Sequence, residues 1–190
     1  KGLIGNSEFI EITVNQIIID NNHRVTLQEG LGGYNGTKDS HVYNFHNFVN
    51  FGGNSILKDS SSVPTSFGTF IQFAIFESEG GPIPDQATIT SAILRLYKSS
   101  YYDHVYRAHP LLTIWLEDQV TWEESQLGVF WSEPSGLGLG NDIDTEFDGE
   151  AAVSWEPNWL RIDVTRGVQA IKAGRANYGW RLVRIGAALN

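Results

Sequence analysis

Short stretches in which apolar and polar residues alternate, or in which β-branched and aromatic residues follow one another, recur along the chain. The two clearest are residues 67–76 (FGTFIQFAIF) and 88–97 (TITSAILRLY). Such stretches are typical of strands that bury one face. Weaker stretches of the same kind predict further strands over residues 9–20, 25–27, 55–58, 105–114, 159–163 and 178–185.

Glycine and proline separate these predicted strands. Gly80, Gly81 and Pro82 favour a turn between the two clearest ones. Frequent turns between short strands are typical of antiparallel sheets. Predicted loops, rich in glycine or polar residues, cover residues 29–36, 59–66 and 128–149.

Only residues 163–173 (DVTRGVQAIKA) have a helical pattern, with Val168 and Ile171 three apart on one face. Thr165 is a candidate N-cap, and Gly174 stands where a glycine commonly ends a helix. Many short strands with one short helix predict an all-β fold, an antiparallel jelly-roll-type β-sandwich.

Length and composition indicate one folded domain over residues 1–190. The chain is 41% hydrophobic and 18% charged, which is outside the range of disordered proteins. It has no cysteine, which excludes disulfides and thiolate zinc sites. It shows no membrane-spanning stretch, starts at Lys1 and contains no Met. We therefore expect a piece of a larger modular protein, bacterial and either secreted or held at the cell surface.

Acidic residues outnumber basic ones by 22 to 13, for a net charge of −9. This balance argues against nucleic acid as a partner, because duplex-binding proteins present basic patches. Asn141, Asp142 and Asp144 lie in the glycine-rich loop and predict a structural calcium ion, which binds several oxygen ligands. Their spacing is not that of an EF-hand. A solvated acidic loop is the alternative.

Six motifs recur in order along the chain. They are Asn50-Phe51-Gly52, residues 88–97, residues 115–122 (WLEDQVTW), Trp131 with Gly140-Asn141-Asp142, residues 162–174 and residues 177–180 (NYGW). Together they resemble the DNRLRE domain, also called the disaggregatase-related repeat. The resemblance covers about residues 25 to 185, and it implies a carbohydrate-binding module like those attached to alginate lyases and related polysaccharide-degrading enzymes. The family's usual Arg and Asp near its central strand are replaced by Gln72 and Ala74.

Strand periodicity suggests where a polysaccharide would bind. Arg95 and Tyr97 share one face of their strand, and Arg107 and His109 share one face of theirs. If the two strands adjoin, these side chains form a basic and aromatic patch. Arginine forks suit hydroxyls and uronate carboxylates. Two further candidates for an exposed aromatic platform are Trp155 and Trp159.

The sequence contains neither an H-E-x-x-H nor a G-x-S-x-G motif. A lyase of jelly-roll fold would need a base near an arginine in a groove. The candidates are Gln72, Tyr106, Arg107 and His109, whose spacing gives no support for that arrangement. The prediction is therefore a noncatalytic module that brings an attached enzyme to a polysaccharide, acidic and alginate-like. The alternatives are a structural or adhesive cell-surface domain and a polysaccharide lyase.

Overall fold

A computed structural model describes residues 8–15, 22–58, 60–62, 65–97, 105–151 and 159–185. The described residues contain one α-helix, α1 (Thr165–Lys172). None of their helices has the length and apolar character that crossing a membrane requires. The strands are β1 (Glu8–Asn15), β2 (Asn22–Leu27), β3 (Thr37–Tyr43), β4 (Ser60–Ser62), β5 (Thr65–Phe73), β6 (Thr88–Tyr97), β7 (Val105–Pro110), β8 (Glu124–Gln126), β9 (Val129–Phe130), β10 (Gly149–Ala151), β11 (Trp159–Asp163) and β12 (Trp180–Ile185).

Two antiparallel sheets form the body of the molecule. Sheet 1 has the strand order β11-β6-β1-β2, and sheet 2 has the order β10-β7-β12-β5-β3, with β4 also paired to β5. From β5 onward the chain crosses between the sheets at β5–β6, β6–β7, β10–β11 and β11–β12. The predicted all-β antiparallel sandwich with a short helix is confirmed.

The main core lies between the two sheets. Alternate residues of β6, including Ala92 and Leu94, face inward from sheet 1, and they pack with Ile71, Trp180 and Leu182 of sheet 2. The period-2 pattern of residues 88–97 in the sequence is therefore the signature of a strand buried on one face only.

A third layer covers the outer face of sheet 2. It is the segment between β7 and β10, residues 111–148, which we call the covering segment. Its Trp115 and Trp131 pack on Phe70 of β5, and the Phe70 and Trp131 rings are stacked with centroids 5.3 Å apart. Sheet 2 is thus buried on both faces.

Most predicted strands are confirmed, but the prediction missed β3, β4, β8, β9 and β10 and included one strand that is absent. Residues 55–58 are not a strand. Conversely, β3 was not predicted, because its sequence TKDSHVY is polar. Its Ser40 and His41 are nevertheless buried, since sheet 2 has a layer on each side. The strand predicted over residues 105–114, with an interruption or bend expected at Pro110, ends at Pro110, where the chain leaves the sheet for the covering segment.

The helix is confirmed, but its predicted N-cap is wrong. Val168 and Ile171 are buried, and Gly174 has a φ of +106° as expected for a residue that ends a helix. The Thr165 hydroxyl does not cap α1, because it accepts a hydrogen bond from the Ala92 backbone N–H, 2.9 Å away. The Asp163 carboxylate instead accepts the Thr165 backbone N–H.

Candidate functional site

The outer face of sheet 1 carries aromatic and basic side chains on two adjacent strands. In the antiparallel register of β6 and β11, Tyr97 lies opposite Trp159 and Arg95 lies opposite Arg161. Leu160 and Ile162 alternate with Trp159 and Arg161, and both are buried. The four residues Arg95, Tyr97, Trp159 and Arg161 therefore share the outward face, which we call the Arg–Trp face.

The side chains of this face are held in contact with one another. The Arg95 guanidinium carbon lies 5.0 Å from the Trp159 ring centroid, a cation–π arrangement. The Tyr97 and Trp159 rings meet edge to face with centroids 5.3 Å apart, and Tyr97 is 47% exposed. Because these contacts fix the rings before any ligand arrives, binding loses little side-chain entropy.

Two arginines lie next to each other on the same face. Directly opposite residues of antiparallel strands have Cα atoms about 5 Å apart, so Arg95 and Arg161 place two guanidinium groups on neighbouring strands. Like charges in this position repel. An anionic group lying over both would be attracted by each arginine, and a flat ring could lie beside it on the aromatic pair.

Arg107 and His109 do not join this face, because β7 belongs to sheet 2 and β6 to sheet 1. The predicted patch of all four residues is therefore wrong. The Arg107 Nε donates to Glu150 Oε2 at 2.9 Å, and its guanidinium lies 4.4 Å from the Phe147 centroid. His109 is 7% exposed, with Nδ1 3.0 Å from the Asp144 carbonyl oxygen. Trp155 lies outside the described residues.

The residues considered for a lyase are not gathered in one groove. Tyr106 alternates with Arg107 and His109 along β7 and packs against the main core, whereas Arg107 and His109 face the covering segment. The Gln72 side-chain amide donates to the Asn177 carbonyl at 2.6 Å.

The Asp142 carboxylate is surrounded by hydrogen-bond donors. It is 2% exposed and accepts the backbone N–H groups of Ser132, Glu133 and Gly138 and the Ser132 hydroxyl, all at 2.9–3.0 Å. Donors that converge on both carboxylate oxygens leave no position for a cation. Asp142 therefore acts as an internal anchor of the glycine-rich loop.

The other predicted calcium ligands are also unsuitable as arranged. Asp144 lies 4.0 Å from Arg166 and 3.9 Å from Arg175, and the Asn141 carbonyl accepts the Thr113 hydroxyl. In the part of the chain that the structure describes, no group of three or more His, Cys, Asp or Glu side chains is placed to hold a metal ion. The set Asn141, Asp142 and Asp144 does not fit calcium.

A buried ion pair fixes the end of the covering segment to α1. The Asp148 side chain is fully buried, and it accepts the Trp180 indole N–H at 2.6 Å and lies 3.0 Å from the Arg166 Nε. Burial raises the pKa of Asp148, against the opposing effects of the Trp180 hydrogen bond and the two arginines. Burial disfavours the charged form of Arg175 too, and for a base this lowers the pKa. These contacts give Asp148 a structural role at the end of the covering segment.

Arg161 is the residue of the Arg–Trp face that was not among the predicted site residues. Its signal is present in the sequence, because in 159–163 (WLRID) it stands two positions from Trp159 on the same strand face. The pairing of β11 with β6 carries no such signal, since the two strands are separated by more than 60 residues.

Two of the motifs that resemble the DNRLRE family form the same local structure. In each, an Asn side-chain oxygen accepts the backbone N–H two residues later, from Asn50 to Gly52 and from Asn177 to Gly179. They therefore act in folding, away from the Arg–Trp face.

Comparisons of the chain with models of protein families, with curated proteins and with solved structures found no match.

Proposed function

We propose that this protein is a noncatalytic carbohydrate-binding module that brings an attached enzyme to an acidic, alginate-like polysaccharide outside the cell. The observation that supports it is the Arg–Trp face, in which two arginines and two contacting aromatic rings share the outward side of sheet 1. The resemblance to the DNRLRE family supports the same class of ligand.

The chemistry of the face suits a uronate chain. A carboxylate can accept hydrogen bonds from the guanidinium groups of Arg95 and Arg161, and such charge-assisted bonds are stronger than neutral ones. Tyr97 and Trp159 supply apolar ring surface for the sugar itself.

The test is affinity electrophoresis in gels containing alginate or a neutral polysaccharide. Arg161→Ala should weaken alginate binding by roughly 1–3 kcal/mol, the usual contribution of hydrogen bonds to charged groups. Trp159→Ala should weaken it as well. Arg107→Ala is the matched control, because Arg107 also lies over an aromatic ring but on sheet 2, and its retention should equal that of the unmodified protein.

Two results would contradict the proposal. Unchanged retention of both Arg161→Ala and Trp159→Ala would remove the site. New unsaturated chain ends in alginate after incubation with the protein would overturn the noncatalytic assignment. Binding of a neutral polysaccharide that depends on Trp159 and not on Arg161 would keep the site and change the ligand class.

A further inference from the structure

The surface of the covering segment is unusually apolar. Among the described residues, 13 large hydrophobic side chains are exposed, and ten of them lie in residues 112–139 or in the loop 44–50. We call these ten the apolar surface. They are Phe45, Phe48, Val49, Leu112, Ile114, Leu127, Val129, Phe130, Leu137 and Leu139.

Backbone contacts join the two segments that carry this surface. The Asn47 carbonyl accepts the Glu123 backbone N–H at 3.2 Å. The Asn50 side-chain amide donates to the Glu117 and Val120 carbonyls, both at 2.8 Å. The loop 44–50 is therefore attached to the covering segment, and its Phe48 is 65% exposed. Exposed apolar side chains grouped in this way mark interaction sites in soluble proteins.

The charges within the covering segment are all of one sign. Residues 111–148 contain nine of the 22 acidic residues and none of the basic residues or histidines, so the remainder of the chain has 13 acidic and 13 basic residues. Three of the nine, Asp144, Glu146 and Asp148, are paired with Arg166 or Arg175. Asp142 is buried. The other five, within residues 117–133, lie among the exposed apolar side chains.

We infer that the apolar surface is a docking site for a basic polypeptide, one with Lys or Arg side chains around an apolar centre. Charge complementarity selects this partner, since it gives each acidic residue a counter-ion while the apolar side chains are buried. A symmetric dimer would place the acidic residues of both copies together. An anionic polysaccharide or an anionic membrane would be repelled.

This site lies on the opposite side of the sandwich from the Arg–Trp face, because the covering segment packs on sheet 2. The inference therefore goes beyond the carbohydrate-binding proposal and does not depend on it. A module with two opposite faces could hold a polysaccharide with one and a neighbouring domain or protein with the other.

The probe for a test is a synthetic helical peptide with Leu on one face and Lys on the other, whose binding is followed by fluorescence anisotropy and by NMR shifts of the labelled protein. Shifts should fall in residues 112–139 and 44–50. Leu127→Ser, at a side chain 81% exposed, should weaken binding by about fivefold or more. Leu31→Ser, at 51% exposure elsewhere, is the matched control and should change nothing.

Charge is tested in the same way. The double variant Asp118→Asn with Glu133→Gln should weaken peptide binding, whereas Glu77→Gln, exposed on another part of the molecule, should not. Equal binding of a peptide with Ser in place of Leu would overturn the inference, because attraction would then be purely electrostatic. Concentration-dependent dimers that Leu127→Ser abolishes would also overturn it, in favour of a second copy. Alginate should retain Leu127→Ser as strongly as it retains the unmodified protein. Loss of peptide binding in this variant can therefore be distinguished from failure of the Arg–Trp face.

Discussion

Asp142 holds together the glycine-rich part of the covering segment through one buried carboxylate. Asp142→Asn replaces one of its oxygens with an N–H₂ group, which would face donors from Ser132, Glu133 or Gly138. A buried donor that faces another donor loses its bond and its solvation, so unfolding free energy should fall by about 2–3 kcal/mol. Urea unfolding followed by tryptophan fluorescence measures this loss.

The control for Asp142→Asn is Asp118→Asn, at an exposed position of the same segment, which should change stability by less than about 0.5 kcal/mol. If Asp142→Asn lowered the unfolding free energy as little as Asp118→Asn does, the Asp142 carboxylate would be free to bind another ligand. Calcium would then be reconsidered there, and its addition should raise the melting temperature of the unmodified protein.

His41 is buried in sheet 2 between aromatic rings. It is 1% exposed, stacks on Phe51 with centroids 4.8 Å apart and lies 5.9 Å from the Phe67 ring. Its Nδ1 has no hydrogen-bond partner among the described residues. Burial, and secondarily the positive charge of Lys58, lowers the pKa of His41 to about 4. The folded protein therefore holds this imidazole neutral.

Stability should consequently decrease as the pH falls from about 6.5 to about 4. In that interval the unfolded chain protonates His41 and the folded protein does not, which costs roughly 3 kcal/mol when the lower limit is reached. His41→Phe keeps a ring in place and removes the titration, so its unfolding free energy should vary less with pH. His46→Gln, at an exposed histidine, is the control. An unchanged pH dependence in His41→Phe would refute this assignment.

At the scale of elements, the covering segment lies directly against the loop after β3 at Gly52. A Cβ atom there would lie 1.9 Å from the Glu117 carbonyl oxygen, whereas at Gly53 it would meet nothing within 4 Å. Gly52→Ala should therefore separate the two segments and lower the unfolding free energy. Gly53→Ala should change it by less than about 1 kcal/mol, several times less than Gly52→Ala does. Thermal unfolding of the pair is the measurement, and equal melting temperatures would contradict the close contact.

Strands of both sheets were predicted from the sequence, and those whose bounds match at both ends have one buried and one solvated face. Residues 88–97 and 159–163 match β6 and β11 at both ends because each strand alternates inward and outward side chains. β3 has layers on both sides and polar residues such as Ser40 in them, so its pattern has no apolar period. The end of β7 at Pro110 follows from a local signal, because proline cannot donate a ladder hydrogen bond.

The candidate site was predictable in part for a related reason. The shared face of Arg95 and Tyr97 follows from period 2 along a single strand. Their neighbours depend on which strands pair, and this is decided by long-range packing. β7 follows β6 in the chain but joins the other sheet, whereas the distant β11 pairs with β6. Sequence proximity therefore suggested Arg107 where the structure places Arg161.

Across the whole molecule, charge is separated between the two outer layers. The net charge of −9 arises within residues 111–148, on sheet 2, while Arg95 and Arg161 lie on the far side of sheet 1. Stacked sheets are about 10 Å apart, so roughly 20 Å or more separates the five acidic residues within 117–133 from the Arg–Trp face. An anionic polysaccharide thus meets local attraction from the arginines and long-range repulsion from the acidic layer.

These two contributions should respond differently to salt. The Debye length is about 30 Å at 0.01 M and about 8 Å at 0.15 M ionic strength, so the acidic layer acts on the Arg–Trp face only in dilute salt. Asp118→Asn with Glu133→Gln should raise alginate affinity by roughly twofold at the lower ionic strength and leave it unchanged at the higher one. Arg161→Ala should lower affinity at both, because its contact is direct. Titration calorimetry at the two salt concentrations measures all three proteins. If the double variant changed affinity equally at both concentrations, the acidic residues would have to contact the polysaccharide themselves, and the separation of the two faces would be wrong.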